Sequence, residues 1–302
     1  MSMLEDLSKA TAEAVERGGK SLVRVEGRRR LPASGIVWSE DGLIVTANHV
    51  VERDEEIGIG LPDGDQAEAA MVGRDPSTDL AVLRVSGKRL QSPEWVEEGS
   101  ARVGHLVLAL GRPGARPLAT LGVISALGDA WRTPAGGAID RFFQTDVVMY
   151  PGFSGGPLID AGGRTLGLNT SGLARGLSLT VPATTIRRTV EMLVTHGRMR
   201  RGYLGVGAQT VRLPESAARG QETGLMLASV ESGSPADRAG LVLGDVLLRL
   251  DGVALERMES LLNALTPERV GKKVSVDVLR GGQPKTLEVE IGERSHDGPR
   301  PE

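Results

Sequence analysis

The sequence predicts a mostly β protein: an antiparallel barrel or sandwich of short strands, followed by a small separate α+β unit. From residue 22 onward, brief β-rich runs alternate with turn chemistry such as Glu40-Asp41-Gly42 and Pro62-Asp63-Gly64. The long helical periods that alternating βα units need are missing between those runs. The chain has 302 residues, enough for about two domains, each able to bury a core.

In order along the chain, residues 3–17 set Leu4, Leu7, Ala10, Ala14 and Val15 near a helical period with Glu5, Asp6 and Lys9 between them. An amphipathic helix is therefore expected within an opening segment, 1–19. Strands are expected at 22–25, 35–38, 43–46, 57–61, 81–85, 106–110, 122–126, 142–145, 158–159, 165–170 and 178–181. Residues 184–195 return to a helical period, with Ile186, Val190, Leu193 and Val194 on one side and His196-Gly197 at the end. The basic stretch Arg198-Met199-Arg200-Arg201 follows, which places a domain boundary between 20–197 and 198–294. In the second part, strands at 224–230, 246–250, 273–280 and 286–291 accompany helices at 235–239 and 257–265, and the polar tail 295–302 is expected to be disordered.

Composition excludes several classes. At 40% hydrophobic and 25% charged the chain is too apolar to be mostly disordered. A net charge of −3 and a pI near 5.9 provide no basic field for a polyanion, so nucleic acid is not an expected partner. With no cysteine, disulfides, thiolate metal sites and thiol nucleophiles are out. No apolar run reaches the ~18 residues of a membrane span. The opening Met-Ser-Met-Leu-Glu-Asp-Leu-Ser-Lys lacks the pattern of a signal peptide, so a cytoplasmic location is expected for the chain as written, or an extracytoplasmic one if an anchor precedes it. His105, His196 and His296 have no carboxylates at metal-ligand spacing, and no Gly-rich loop ends in Lys-Ser/Thr, so neither a metal nor a nucleotide cofactor is expected.

Three motifs carry chemistry. Leu43-Ile44-Val45-Thr46-Ala47-Asn48-His49 runs from a strand into a polar turn that presents His49; Asp75-Pro76-Ser77-Thr78-Asp79-Leu80 sets Asp79 just before an apolar strand; and Pro151-Gly152-Phe153-Ser154-Gly155-Gly156-Pro157 holds Ser154 in a glycine-flanked turn. A serine hydroxyl is a weak nucleophile unless an imidazole takes its proton, and that imidazole needs a carboxylate to set its tautomer and stabilise its charged form. Glycines around the serine let consecutive N–H groups converge on a developing oxyanion. Taken singly, each piece is also what a structural residue looks like; together, in the order His, Asp, Ser on a β-rich chain, they point to nucleophilic catalysis.

These residues resemble the HtrA/Deg type of chymotrypsin-fold serine protease. Thr46 to Val50 resembles that family's histidine motif and Asp75 to Leu83 its aspartate motif. Gly122 to Gly128 is similar to a strand and turn of the family, and Gln144-Thr145-Asp146 leads to the serine motif. The resemblance implies a chymotrypsin-like double β-barrel over 20–197 and a PDZ domain over 198–294. It also implies His49 as general base, Asp79 as its orienter, Ser154 as nucleophile, and the Gly152 and Ser154 N–H groups as the oxyanion hole. Arg201-Gly202-Tyr203-Leu204-Gly205-Val206 resembles a PDZ carboxylate-binding loop, which implies that Tyr203, Leu204, Gly205 and Val206 bind a peptide C-terminus that adds as a strand. The implied activity is ATP-independent endoproteolysis of unfolded or damaged polypeptides; the rival classes are a chaperone or peptide-binding scaffold with a weak protease domain and, third, an esterase.

The chain departs from the family pattern beside the nucleophile, where Phe153 replaces an Asn and Tyr150 opens what is usually Asn-Pro-Gly. By resemblance Tyr150, Phe153, Leu177, Leu179 and Thr180 shape the substrate pocket, which is expected to take small to medium aliphatic side chains; for Tyr150 and Phe153, two of only eight aromatics, packing that holds the loop in one state and filling of the adjacent core are both open. A homo-oligomer, trimeric through aromatics near the N-terminus, is also implied, yet no aromatic precedes Trp38.

Overall fold

The computed structural model describes residues 2–29, 31–97, 99–133, 137–173, 178–199, 202–213 and 220–293. The chain forms two compact units, 1–199 and 200–302.

The first unit opens with α1 (Met3–Gly19), started by a reciprocal capping box between Ser2 and Glu5. Six strands follow: β1 (Leu22–Glu26), β2 (Ala33–Val37), β3 (Leu43–Ala47), β4 (Ile57–Gly60), β5 (Gln66–Asp75) and β6 (Leu80–Val85). They close antiparallel in the order β1-β2-β3-β6-β5-β4 around Val23, Ile36, Ile44, Ile57, Ile59 and Leu83. Each such fully buried side chain contributes roughly 1.5–3 kcal/mol over leaving it in water. Next come β7 (Leu106–Gly111), β8 (Leu118–Gly128), the hairpin β9 (Trp131–Arg132) and β10 (Ala138–Ile139), then β11 (Phe142–Thr145), β12 (Pro157–Asp160), β13 (Thr165–Thr170) and β14 (Leu179–Pro182). Of these, β11-β14-β13-β12-β7-β8 close a second barrel around Val107, Ala109, Ile124, Val147, Phe153, Leu158 and Leu166. Helix α2 (Ala183–His196) lays Ile186, Val190 and Leu193 on the first barrel's core and ends where Gly197 takes a left-handed φ of 70°. Ala14 and Gly18 of α1 are buried, and Ala14 packs with Leu108, Leu110 and Ile159. Among the described residues the barrel reading thus prevails over the sandwich.

Strand β5 is the long element that local pattern does not announce. Its outward Gln66, Glu68 and Ala70 are exposed, and a bulge between Met71 and Gly73 breaks the alternation on which a period-2 reading depends.

The second unit contains β15 (Gly202–Tyr203), β16 (Val206–Arg212), β17 (Thr223–Val230), α3 (Pro235–Arg238), β18 (Val246–Leu250), β19 (Val253–Ala254), α4 (Met258–Ala264), β20 (Lys273–Arg280), β21 (Gln283–Glu290) and β22 (Gly292–Glu293). Its main sheet runs β16-β17-β18-β20-β21 over a core of Leu225, Leu227, Leu247, Leu261, Val276 and Val289. Among the described residues β16 is an edge strand, and α4 lies against it. No described helix is long and apolar enough to cross a membrane. The tail 295–302 lies outside the described residues.

Candidate active site

His49 and Asp79 meet because β3 and β6 pair antiparallel, Ala47 opposite Leu80. One step beyond that pair, the Asn48 N–H donates to the Asp79 carbonyl at 3.0 Å, and a single 3-10 turn, Asn48–Val50, presents His49. The Asp79 carboxylate then accepts the His49 backbone N–H at 2.9 Å and faces its Nδ1 at 2.8 Å. An imidazole whose Nδ1 proton is held this way offers Nε2 as the acceptor. Asp79 sits at φ 55°, a left-handed value that Asp tolerates better than most residues. The turn before it is held by the buried Asp75, which accepts from the Ser77 N–H and hydroxyl and from the Thr78 hydroxyl at 3.1, 2.5 and 2.7 Å.

Ser154 lies in the connection from β11 to β12. The Phe153 N–H donates to the Tyr150 carbonyl at 3.0 Å, the Gly155 N–H to Asn169 at 2.9 Å and the Gly156 N–H to Phe153 at 2.9 Å. Among the described residues the N–H groups of Gly152 and Ser154 donate to no protein group. Gly152 has φ 94°, and a Cβ there would stand 2.6 Å from Pro113 Cβ and 3.0 Å from the Pro32 carbonyl, so both conformation and space demand glycine.

Sequence reasoning missed the segment that ties these pieces together. At the end of β13 the Thr170 hydroxyl donates to Oδ2 of Asp79 and accepts the Gly172 N–H at 2.9 Å. The Ser171 hydroxyl stands 3.2 Å from that of Ser154, and Gly172 packs on the His49–Asp79 pair so closely that an added Cβ would clash with both. The one local signal was a run of small polar residues, Asn169-Thr170-Ser171-Gly172, ending a buried strand.

The residues assigned to the pocket have different fates. Phe153 is fully buried in the core of the second barrel, its ring edge-on to Tyr150 at 5.9 Å between centroids. Tyr150 is exposed, whereas Leu179 and Thr180 are buried in β14, with the Thr180 hydroxyl donating to Asn169 at 2.8 Å. Leu177 lies outside the described residues. In the second unit, Tyr203 ends β15, Leu204 is buried in the core, and Val206 begins the edge strand β16. The Leu204 carbonyl accepts from Ala236 at 2.9 Å and the Gly205 carbonyl from Glu231 at 2.8 Å, while their N–H groups donate to no described residue.

Comparison with known proteins agrees with this architecture. Residues 33–168 match the trypsin-like peptidase domain and residues 202–291 the PDZ domain. A probable periplasmic serine endoprotease DegP-like of Ectopseudomonas mendocina (strain ymp) is 36% identical over 307 residues, covering 98% of this chain and 64% of its own length. The chain thus spans about half to two thirds of the curated relatives it matches. Among solved structures, the HtrA-type protease AlgW with decapeptide is 31% identical with a TM-score of 0.79, covering 96% of this chain and 99% of that one. The serine endoprotease from Yersinia pestis gives 29% and 0.79, covering 94% and 98%. The curated relatives are named periplasmic, which corrects the cytoplasmic expectation. That expectation rested on the first residues alone, and a chain matching part of its relatives' length carries no information there about export. Two domain types in this order, shared with solved structures over nearly their whole length, place the chain in the family of HtrA-type serine proteases.

Proposed function

We propose that the chain is an ATP-independent serine endopeptidase acting outside the cytoplasm on unfolded or damaged polypeptides. The observation that carries this reading is the 170–172 segment, which bonds to Asp79 and Ser154 and packs against His49. In the proposed reaction Nε2 of His49 takes the Ser154 hydroxyl proton as Oγ attacks the scissile carbonyl. Asp79 holds the imidazole by Nδ1 and stabilises its charged form. The N–H groups of Gly152 and Ser154 receive the oxyanion, and His49 then returns the proton to the leaving amine, leaving an acyl-enzyme that water hydrolyses. At rest the Ser154 hydroxyl pairs with Ser171, so it turns to His49 when substrate arrives, as free enzymes commonly require.

Tyr150 is the pocket residue assigned to substrate contact, because among the described residues of that set it is the exposed one. In the second unit the N–H groups of Leu204 and Gly205, next to Tyr203, hold a C-terminal carboxylate while the peptide adds as a strand to the edge of β16, beginning at Val206. The family resemblance supports a homo-oligomer. Incubation of the chain and of Ser154→Ala with unfolded casein tests the enzyme reading: cleavage by the parent alone is expected. Equal inertness of both, with aggregation still suppressed, would replace it with the chaperone reading.

A further inference from the structure

Ser34, in β2 of the first barrel, is fully buried and uses every polar group it has. Its hydroxyl donates to the Gly152 carbonyl at 2.7 Å and accepts the Arg112 N–H at 2.7 Å. Its own N–H donates to the Ser154 carbonyl at 3.2 Å, and its carbonyl accepts from the Thr46 hydroxyl at 2.7 Å. The two carbonyls it grips belong to the residues whose N–H groups stand open beside the nucleophile.

That coincidence matters because the gripped loop is otherwise easy to twist. Gly152 and Gly155 both have left-handed φ, at 94° and 88°, and glycine peptides rotate at little steric cost. Phe153 cannot hold the loop by a polar side chain, since its ring is committed to the core. The opposing segment is itself anchored: Gly111 backs the Phe153 ring, Pro113 stands against Gly152, and the guanidinium of the buried Arg112 donates to the Ala115 carbonyl at 3.0 Å. Arg112 thus supplies its N–H to Ser34 from a fixed place, and Ser34 passes that constraint to Gly152.

We propose that Ser34 is a positioning residue for the oxyanion hole: the two carbonyls it holds fix the Gly152–Phe153 and Ser154–Gly155 peptides, which flank the Phe153–Ser154 peptide that carries the Ser154 N–H and adjoin the Gly152 N–H, so that both groups aim at the developing oxyanion. The assignment rests on Ser154 being the nucleophile. It separates two jobs in the loop: Phe153 seats it in the barrel, and Ser34 sets the rotation of its peptides.

The experiment compares the full chain with Ser34→Ala, which removes the hydroxyl, and Ser34→Cys, which keeps the shape with a weak donor. The measurements are kcat and KM on a chromogenic peptide, inhibition by a peptide boronate whose tetrahedral adduct places an oxygen at the same N–H groups, and hydrogen exchange across 150–156. Loss of a whole oxyanion donor costs about 10²–10³ in rate, so mis-aiming by Ser34→Ala is expected to lower kcat by about 10–100-fold with KM little changed. Boronate affinity is expected to fall in step and exchange at Gly155 and Gly156 to quicken, with Ser34→Cys in between. A folded Ser34→Ala with parent-like kcat, boronate affinity and exchange overturns the proposal. If Ser34→Ala does not fold, the same comparison on Ser34→Cys decides. If the parent shows no Ser154-dependent cleavage, the protease reading fails instead, and the exchange comparison still decides whether Ser34 orders the loop.

Discussion

Replacing Gly172 with alanine perturbs the candidate site where its parts converge. An added Cβ would stand 2.5 Å from Oδ2 of Asp79 and 2.8 Å from Nδ1 of His49, where ordinary contact begins at 3.4 Å. Gly172 is outside the left-handed region, so the alanine brings no backbone strain and the whole effect comes from this overlap. Either the imidazole–carboxylate pair yields or the 170–172 segment backs away. The first parts His49 from an aspartate that two further donors hold in place; the second breaks the Thr170 bond to Asp79 and the Ser171 contact with Ser154. A displacement of about 1 Å in catalytic geometry costs roughly 10²-fold in rate, and forcing a methyl into a packed site costs about 1–3 kcal/mol of stability. The expected result is therefore kcat about 10²-fold lower with a small change in KM, read on a chromogenic peptide beside a thermal unfolding curve. A folded Gly172→Ala with undiminished kcat would refute the assignment of His49 and Asp79 as a working pair.

Two further outcomes are expected. Phe153→Ala should cost about 3–5 kcal/mol by urea denaturation, as for other buried aromatics; a loss below about 1 kcal/mol would mean that the ring does not fill the barrel core. Asp245 in the second unit is buried, which by itself pushes its carboxyl up. Hydrogen bonds from Arg280 and the Val242 N–H, with the charges of Arg280 and Lys285, outweigh that and hold it below the ordinary carboxylate range. The folded state then binds this proton less readily than the unfolded chain, so the stabilisation is complete above about pH 4 and fades as pH falls through the depressed value. The protection factors of the amides in 273–280, measured against their intrinsic exchange rates at each pH, should fall on acidification in the parent, and Asp245→Asn should lower them at neutral pH while flattening the acid dependence; an unchanged profile in the variant contradicts the pairing.

What was legible along the chain was whatever a few adjacent residues determine. The strand-to-turn change around His49, the polar turn before Asp79 and the glycine-flanked Ser154 each advertise themselves within about ten residues, and most strands appear within a residue or two of their structural bounds. Strand β5 escaped because a bulge and polar outward residues erase its period. The position of Phe153 stayed open between loop packing and core filling, because a lone aromatic beside a candidate nucleophile looks alike in either place. Thr170, Ser171 and Gly172 escaped because nothing local says that a strand end more than 90 residues beyond Asp79 returns to it.

The amino-acid sequence by itself determined the class of the protein: short strands and glycine turns make the barrels, and a His, an Asp and a Ser in the right local settings are its candidate catalytic groups. Only the tertiary structure decided how those groups are held. Packing of the second barrel on the first brings the end of β13 to Asp79 and sets the loop of the candidate nucleophile against Ser34 of β2. Such contacts join residues about 90 and 118 positions apart, and a pattern read along a chain is blind to them because they come from strand register and packing rather than from neighbouring residues.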